Sequence, residues 1–159
     1  MKAITAADLD ALAASARDLP RRRSHLTIHP DPADPVQRML VALEPGTYVR
    51  PHRHGGGRWE LFVLIRGWLA VLLFGEDGTV SDRIELAGDG AAAVEIPEAA
   101  WHTITVLEPG TVALEVKPGP YSPLDDKGFA AWAPAEGEAG AAALARWLET
   151  AGPGARAPR

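Results

Sequence analysis

Gly46-Thr-Tyr-Val-Arg-Pro-His52-Arg-His54-Gly-Gly-Gly-Arg-Trp-Glu60-Leu-Phe-Val-Leu-Ile-Arg-Gly67 is the stretch from which the rest of the chain can be read. Pro45-Gly46 and Arg66-Gly67 are turn signals, and the apolar runs between them are short, so the segment predicts strands. His52 and His54 are two apart, and on a strand both imidazoles project from one face. The glycine loop at 55–57 lets the chain fold Glu60 back beside them. His102, which follows Pro97 and opens a later strand, is the fourth candidate. Three imidazoles and one carboxylate suit a single divalent transition metal (Fe, Mn, Ni or Zn), with one or two positions left for water or substrate. His-x-His alone describes two solvated surface histidines equally well. Glu60 and His102 tip the reading to a metal.

Outward from this stretch the texture persists. Strands are expected near 39–43, 47–53, 60–65, 68–74, 80–86, 91–96, 101–106 and 111–117, separated by Asp77-Gly78, Gly88-Asp-Gly90, Pro97 and Pro109-Gly110. Many short strands at this spacing predict an all-β sandwich or barrel. Leu61–Ile65 and Trp68–Phe74 lack polar alternation, so each is expected to bury both faces, one inside the barrel and one under a helix or a second subunit. Leu-Glu-Pro-Gly-Thr occurs at 43–47 and again at 107–111, each copy supplying a turn followed by a strand.

The flanks differ. Thr5, with Asp8 three positions on, is a capping box for a helix carrying Leu9, Leu12, Ala13 and Ala16 on one face. Residues 21–34 read as an extended polar arm. Beyond Lys117 an irregular arm carries Tyr121, Phe129 and Trp132. Ala141–Ala151 is an amphipathic helix, and 152–159 a frayed tail. The 159 residues thus make one domain: helix and arm at 1–38, β core at 39–117, arm and helix at 118–151, then the tail.

Composition narrows the chemistry. With 16 Lys and Arg against 21 Asp and Glu, the net charge is −5, which argues against a nucleic-acid partner. The absence of cysteine removes disulfides, thiolate nucleophiles and iron–sulfur clusters, and leaves Met1 and Met39 as the sulfur donors. The N-terminus has no apolar signal region and no run is long enough to span a bilayer, so a cytoplasmic protein with no membrane partner is expected.

The order Gly46, His52-x-His54, Glu60, Gly67, followed by Gly90, Pro97, His102, resembles the two motifs of the cupin superfamily. Two departures stand out. The gap from His54 to Glu60 is one residue longer than usual, and Ala99 and Val106 stand where the family usually has Gly and often Asn. More narrowly, Leu43–His54, Trp59–Phe62, Gly67–Phe74, Val94–Pro97, Trp101-His102, Glu115–Lys117, Gly119–Tyr121 and Ala131–Gly137 resemble the WbuC family of cupin-fold metalloproteins. The resemblance implies a jelly-roll-like double-stranded β-helix with a metal at its centre. WbuC members often accompany surface-polysaccharide genes.

Several other residues are candidates for the site. Tyr48 and Arg50 share parity with the two histidines. Tyr48 is a catalytic candidate, and Arg50 is an anion-binding candidate or a rim residue. Phe62 and Leu64 share parity with Glu60 and are expected to form an apolar floor that touches substrate, as are Ile104 and Val106 below His102. On 111–117 either Val112, Leu114 and Val116 or Glu115 and Lys117 enter the barrel. An inward Glu115 is a general-base candidate, but the cost of burying a carboxylate favours the outward arrangement. Tyr121, Phe129 and Trp132 are expected to seal the sheet or a homodimer in preference to forming a lid. His25 and His29 are expected in solvent.

The functional expectation is a metal-dependent enzyme, with isomerisation or epimerisation of a small sugar or sugar derivative as the leading reading. Iron-dependent oxygen chemistry and non-catalytic, metal-dependent binding of a small anion are the alternatives. A general acid or base beside the metal discriminates catalysis from binding.

Overall fold

Thr5 opens the first helix as the sequence dictates. Its hydroxyl caps the Asp8 amide, and the Asp8 carboxylate accepts from the Thr5 amide at 2.7 Å. This computed structural model describes residues 1–121 and 128–158. Residues 122–127 of the expected C-terminal arm, and Arg159, lie outside the described residues. Helix α1 (Ala6–Asp18) buries Leu12, Ala13 and Ala16 against Leu40, Ala42 and Val112.

Ten strands follow among the described residues: β1 (Arg23–Thr27), β2 (Val36–Leu43), β3 (His52–Arg53), β4 (Glu60–Arg66), β5 (Leu69–Phe74), β6 (Val80–Leu86), β7 (Ala93–Ile96), β8 (Trp101–Val106), β9 (Thr111–Pro118) and β10 (Gly128–Phe129). Helix α2 (Ala141–Leu148) follows them. The strands form two antiparallel sheets, in the orders β1-β2-β9-β4-β7 and β10-β3-β8-β5-β6. Val41, Leu43, Phe62, Leu69, Val71, Ile104 and Ala113 meet between the sheets as one apolar core. This is the all-β, jelly-roll-like architecture expected from the strand spacing. No described helix is long and apolar enough to cross a membrane.

Strand β5 buries both faces. Leu69 and Val71 point between the sheets, while Ala70, Leu72 and Phe74 pack outward with Leu144 and Leu148 of α2. Strand β4 buries Glu60 and Phe62 of its inner face, Leu64 is partly buried, and Ile65 on its outer face is 44% exposed, so β4 does not bury both faces.

Three expectations need correction. The polar arm at 21–34 contains β1, paired along its length with β2. Leu26 of β1 and Ile28 just beyond it pack against the α1 cluster. The expected strand at 47–53 reduces to His52–Arg53, because Pro51 has no amide for a ladder and biases the residue before it. The expected frayed tail instead pairs with the start of β6. Val80 and Ala155, Gly154 and Val80, and Ala157 and Gly78 share backbone hydrogen bonds of 2.8–3.0 Å.

The repeated Leu-Glu-Pro-Gly-Thr segments meet in space. Glu44 of the first copy accepts from the Gly110 amide of the second at 3.0 Å. Gly46 and Gly110 both have positive φ, as a type II turn requires.

Candidate metal centre

His52 of β3 and His102 of β8 are directly paired across their sheet. His54 follows in the loop, and Glu60 starts β4 in the facing sheet. The site therefore ties the two sheets together. All four side chains are buried, and one ligand atom from each lies within 4.8 Å of the others. His102 Nε2 is 3.1 Å from Glu60 Oε2, and His54 Nε2 is 3.7 Å from Glu60 Oε1.

Backbone carbonyls set the tautomers. His52 Nδ1–H donates to Arg50 O and His102 Nδ1–H donates to Ala100 O, each at 2.9 Å. That commitment leaves Nε2 of both rings as the ligating nitrogen. Buried imidazoles oriented in this way beside a carboxylate fit a divalent transition metal. The turn before His102 is strained. Ala99 has φ 62°, a left-handed conformation that favours glycine, and its amide donates to His54 O at 2.8 Å.

A cavity of about 490 Å³ opens from this centre. Register explains its walls. Thr27, Met39, Glu115 and Phe62 are successive partners across β1, β2, β9 and β4, and all four line it. Phe62 thus stands where its parity with Glu60 placed it. Glu115 faces inward, against the expectation, because its neighbours Met39 and Phe62 do. The opposite face of β9 carries Val112 and Leu114 under α1. The cost of burying the carboxylate is offset by Lys117, whose Nζ lies 3.0 Å from Glu115 Oε1 and 3.5 Å from Glu60 Oε1.

Tyr48 and Arg50 do not line the cavity; Val49 between them does. Their expected parity fails because residues 47–51 are irregular backbone. The Tyr48 hydroxyl donates to Pro134 O at 2.8 Å, and burial pushes its pKa up to about 12. It packs with the α2 cluster outside the barrel. Arg50 donates to Ala130 O at 3.1 Å and lies over the Phe129 ring.

Sequence reasoning missed the contribution of β1. His25 and His29, expected in solvent, line the cavity with Thr27, and His29 is buried with Nδ1 2.9 Å from the Arg38 backbone. Tyr121 also lines it, at the mouth, instead of sealing an outer sheet. Trp132 does seal the outside, packing on Phe74.

Known structures share this fold. The chain is similar to KdgF from Halomonas sp. (TM-score 0.50, 19% identity, covering 66% of this chain and 85% of that one). A cupin superfamily protein from Desulfitobacterium hafniense gives a TM-score of 0.50 at 16% identity, with 67% and 86% covered. Oxalate decarboxylase from Bacillus subtilis gives 0.51 at 23% identity, with 67% of this chain but 27% of that chain covered. The chain therefore shares the fold of these structures. No curated protein matches the sequence. A family model described as "Domain of unknown function (DUF6016)" matches residues 4–86, just over half of the chain, and the protein belongs to that family.

Proposed function

We propose that this protein is a metal-dependent enzyme that moves a proton on a small hydroxy-carbonyl compound, as an isomerase or epimerase. The observation that carries the reading is Glu115, a buried carboxylate in the same cavity as the four-ligand centre, held by Lys117. A binding protein has no need of a base there. A divalent ion on His52, His54, Glu60 and His102 supplies Lewis acidity toward a substrate oxygen. Glu115 accepts the proton from the hydroxyl-bearing carbon next to the substrate carbonyl, the C–H electron pair becomes the second bond to the carbonyl carbon, and the carbonyl π pair moves onto its oxygen. Isomerisation returns the proton to the former carbonyl carbon, while the hydroxyl of the first carbon gives its proton to the former carbonyl oxygen and becomes the new carbonyl. Epimerisation requires a second donor to deliver a proton to the other face of the same carbon, while Glu115 keeps the one it removed. Lys117 keeps the Glu115 carboxylate aimed during both transfers, and Phe62 and Ile104 keep water from the reacting carbon.

The similarity to the WbuC family supports a cytoplasmic role in surface-polysaccharide metabolism, with a sugar derivative as substrate. A homodimer belongs to the same proposal; Ile65 and Trp68, 44% and 40% exposed, are its apolar candidates. The test is deuterium wash-in, followed by NMR, on a panel of hydroxy-carbonyl compounds with metal-loaded protein. The expected result is exchange that falls at least about 100-fold in Glu115→Gln with metal retained. Exchange at the wild-type rate in that variant, or none with any compound, refutes the proposal.

A further inference from the structure

Two buried polar side chains stand at the β1–β2 side of the cavity: Gln37, 2% exposed, and His29, 8% exposed. Pro30 and Pro32 end β1, and the turn that follows folds back on the start of β2. There Gln37 Nε2 donates to Pro32 O at 3.1 Å and to Asp34 O at 2.8 Å, which commits both amide hydrogens. With two carbonyls on that side, the amide can point only its nitrogen there, so the orientation of the group is settled. Gln37 Oε1 meets no donor among the described residues and is not sealed off by protein, so it faces the cavity that the residue lines.

His29 offers the complementary atom. Its Nδ1 lies 2.9 Å from both the amide and the carbonyl of Arg38. The carbonyl already takes the Ile28 amide at 2.9 Å, whereas the Arg38 amide, past the end of β1, has the ring nitrogen as its acceptor among the described residues. Nδ1 is therefore unprotonated and the proton sits on Nε2. Nε2–H, like Gln37 Oε1, meets no partner among the described residues and is not sealed off. One wall of the cavity thus presents an acceptor and a donor, both neutral. Register sets their distance from the metal centre. Gln37 pairs with Lys117 of β9, next to β4, so two strand spacings of about 10 Å separate it from the ligand Glu60.

We propose that Gln37 and His29 form a subsite for neutral hydroxyl groups, and that the substrate is an uncharged polyhydroxylated chain with its hydroxy-carbonyl end at the metal and its tail at this wall. A tail hydroxyl donates to Gln37 Oε1, and a tail oxygen accepts from His29 Nε2–H. A carboxylate tail brings acceptors only and sets one of them against Gln37 Oε1, while Asp31 in the same lining adds a negative charge. An alkyl tail displaces water and leaves both atoms without a partner. The inference rests on the metal-dependent reading above and narrows its substrate from sugar derivatives in general to uncharged ones.

Calorimetry on the full, metal-loaded chain tests it, with metal content measured on the same samples. Three five-carbon probes share a hydroxymethyl ketone head and differ in the tail: xylulose, 1-hydroxypentan-2-one and 5-hydroxy-4-oxopentanoate. Xylulose is expected to bind at least about tenfold more tightly than either of the others. Equal or tighter binding of 1-hydroxypentan-2-one overturns the hydroxyl subsite, and equal or tighter binding of the oxopentanoate overturns its neutrality. This comparison uses the wild-type chain and depends on no variant. Two variants then locate the subsite. Gln37→Met removes the acceptor, and His29→Asn keeps an acceptor for the Arg38 amide while losing the group at Nε2. Each is expected to weaken xylulose about tenfold and to leave 1-hydroxypentan-2-one unchanged. Equal weakening of both probes, or of neither, in folded variants that hold metal overturns the assignment. Deuterium exchange on all three probes with equal affinities sinks this inference and spares the enzymatic one. Preferential xylulose binding without exchange on any compound does the reverse.

Discussion

Ala99 shows what a single residue costs here. Its left-handed φ of 62° puts a Cβ where the backbone prefers none. Ala99→Gly is expected to stabilise the protein by about 1 kcal/mol, measured by urea unfolding, without changing metal content. An unchanged midpoint contradicts the assignment of strain. Gly67 is the opposite case. It has φ 89°, and a Cβ there would lie 2.7 Å from Thr111 Cα. Gly67→Ala is therefore expected to cost about 3 kcal/mol or more in the same assay. The grouping of His52, His54, Glu60 and His102 was legible in the sequence because their order and spacing follow a recurrent two-motif pattern, and the structure brings the four together. Tyr48 and Arg50 were misplaced because strand parity was carried through Pro51, where no strand exists. Glu115 needed the register with Met39 and Phe62, which no local pattern encodes.

At the scale of elements, β4 through β9 could be read from turns and apolar runs. Strand β1 was hidden because its inward residues are Arg23, His25 and Thr27, polar groups that line the cavity instead of a core. The arm carrying Glu136 docks on that strand. Arg21 Nε and Nη2 donate to the two Glu136 carboxylate oxygens at 2.8 and 2.7 Å. The hydrogen bond from Arg21 holds the Glu136 carboxyl below its ordinary value of 4.5, against a smaller opposing effect of burial. A depressed folded-state value means that the carboxylate stabilises the fold above the unfolded value and loses that contribution as pH falls through the folded one. The melting temperature of wild type is thus expected to exceed that of Glu136→Gln at neutral pH. The gap closes as the buffer is acidified from below the ordinary value of 4.5 through the lower folded-state one. A gap constant across that range contradicts the anchoring role. Helix α2 anchors the other sheet, and Leu148, 1% exposed, fills its contact with β5. Leu148→Ala is expected to cost about 2–5 kcal/mol in chemical unfolding.

For the whole molecule, the centre is a tie between layers. His52 and His102 belong to one sheet and Glu60 to the other, with Lys117 and Glu115 beside them on the second. A ligand that binds only this assembled set stabilises the entire fold by mass action, about 2.7 kcal/mol at a concentration a hundred times its Kd. Chelation is accordingly expected to lower the melting temperature by about 5–10 °C, read by calorimetry. The most direct test is elemental analysis of the purified chain after exposure to a divalent transition metal. Wild type is expected to hold one equivalent per chain, and His52→Ala and His102→Ala, still folded by circular dichroism, almost none. A wild-type chain that takes up no metal, or a variant that keeps a full equivalent, contradicts the account.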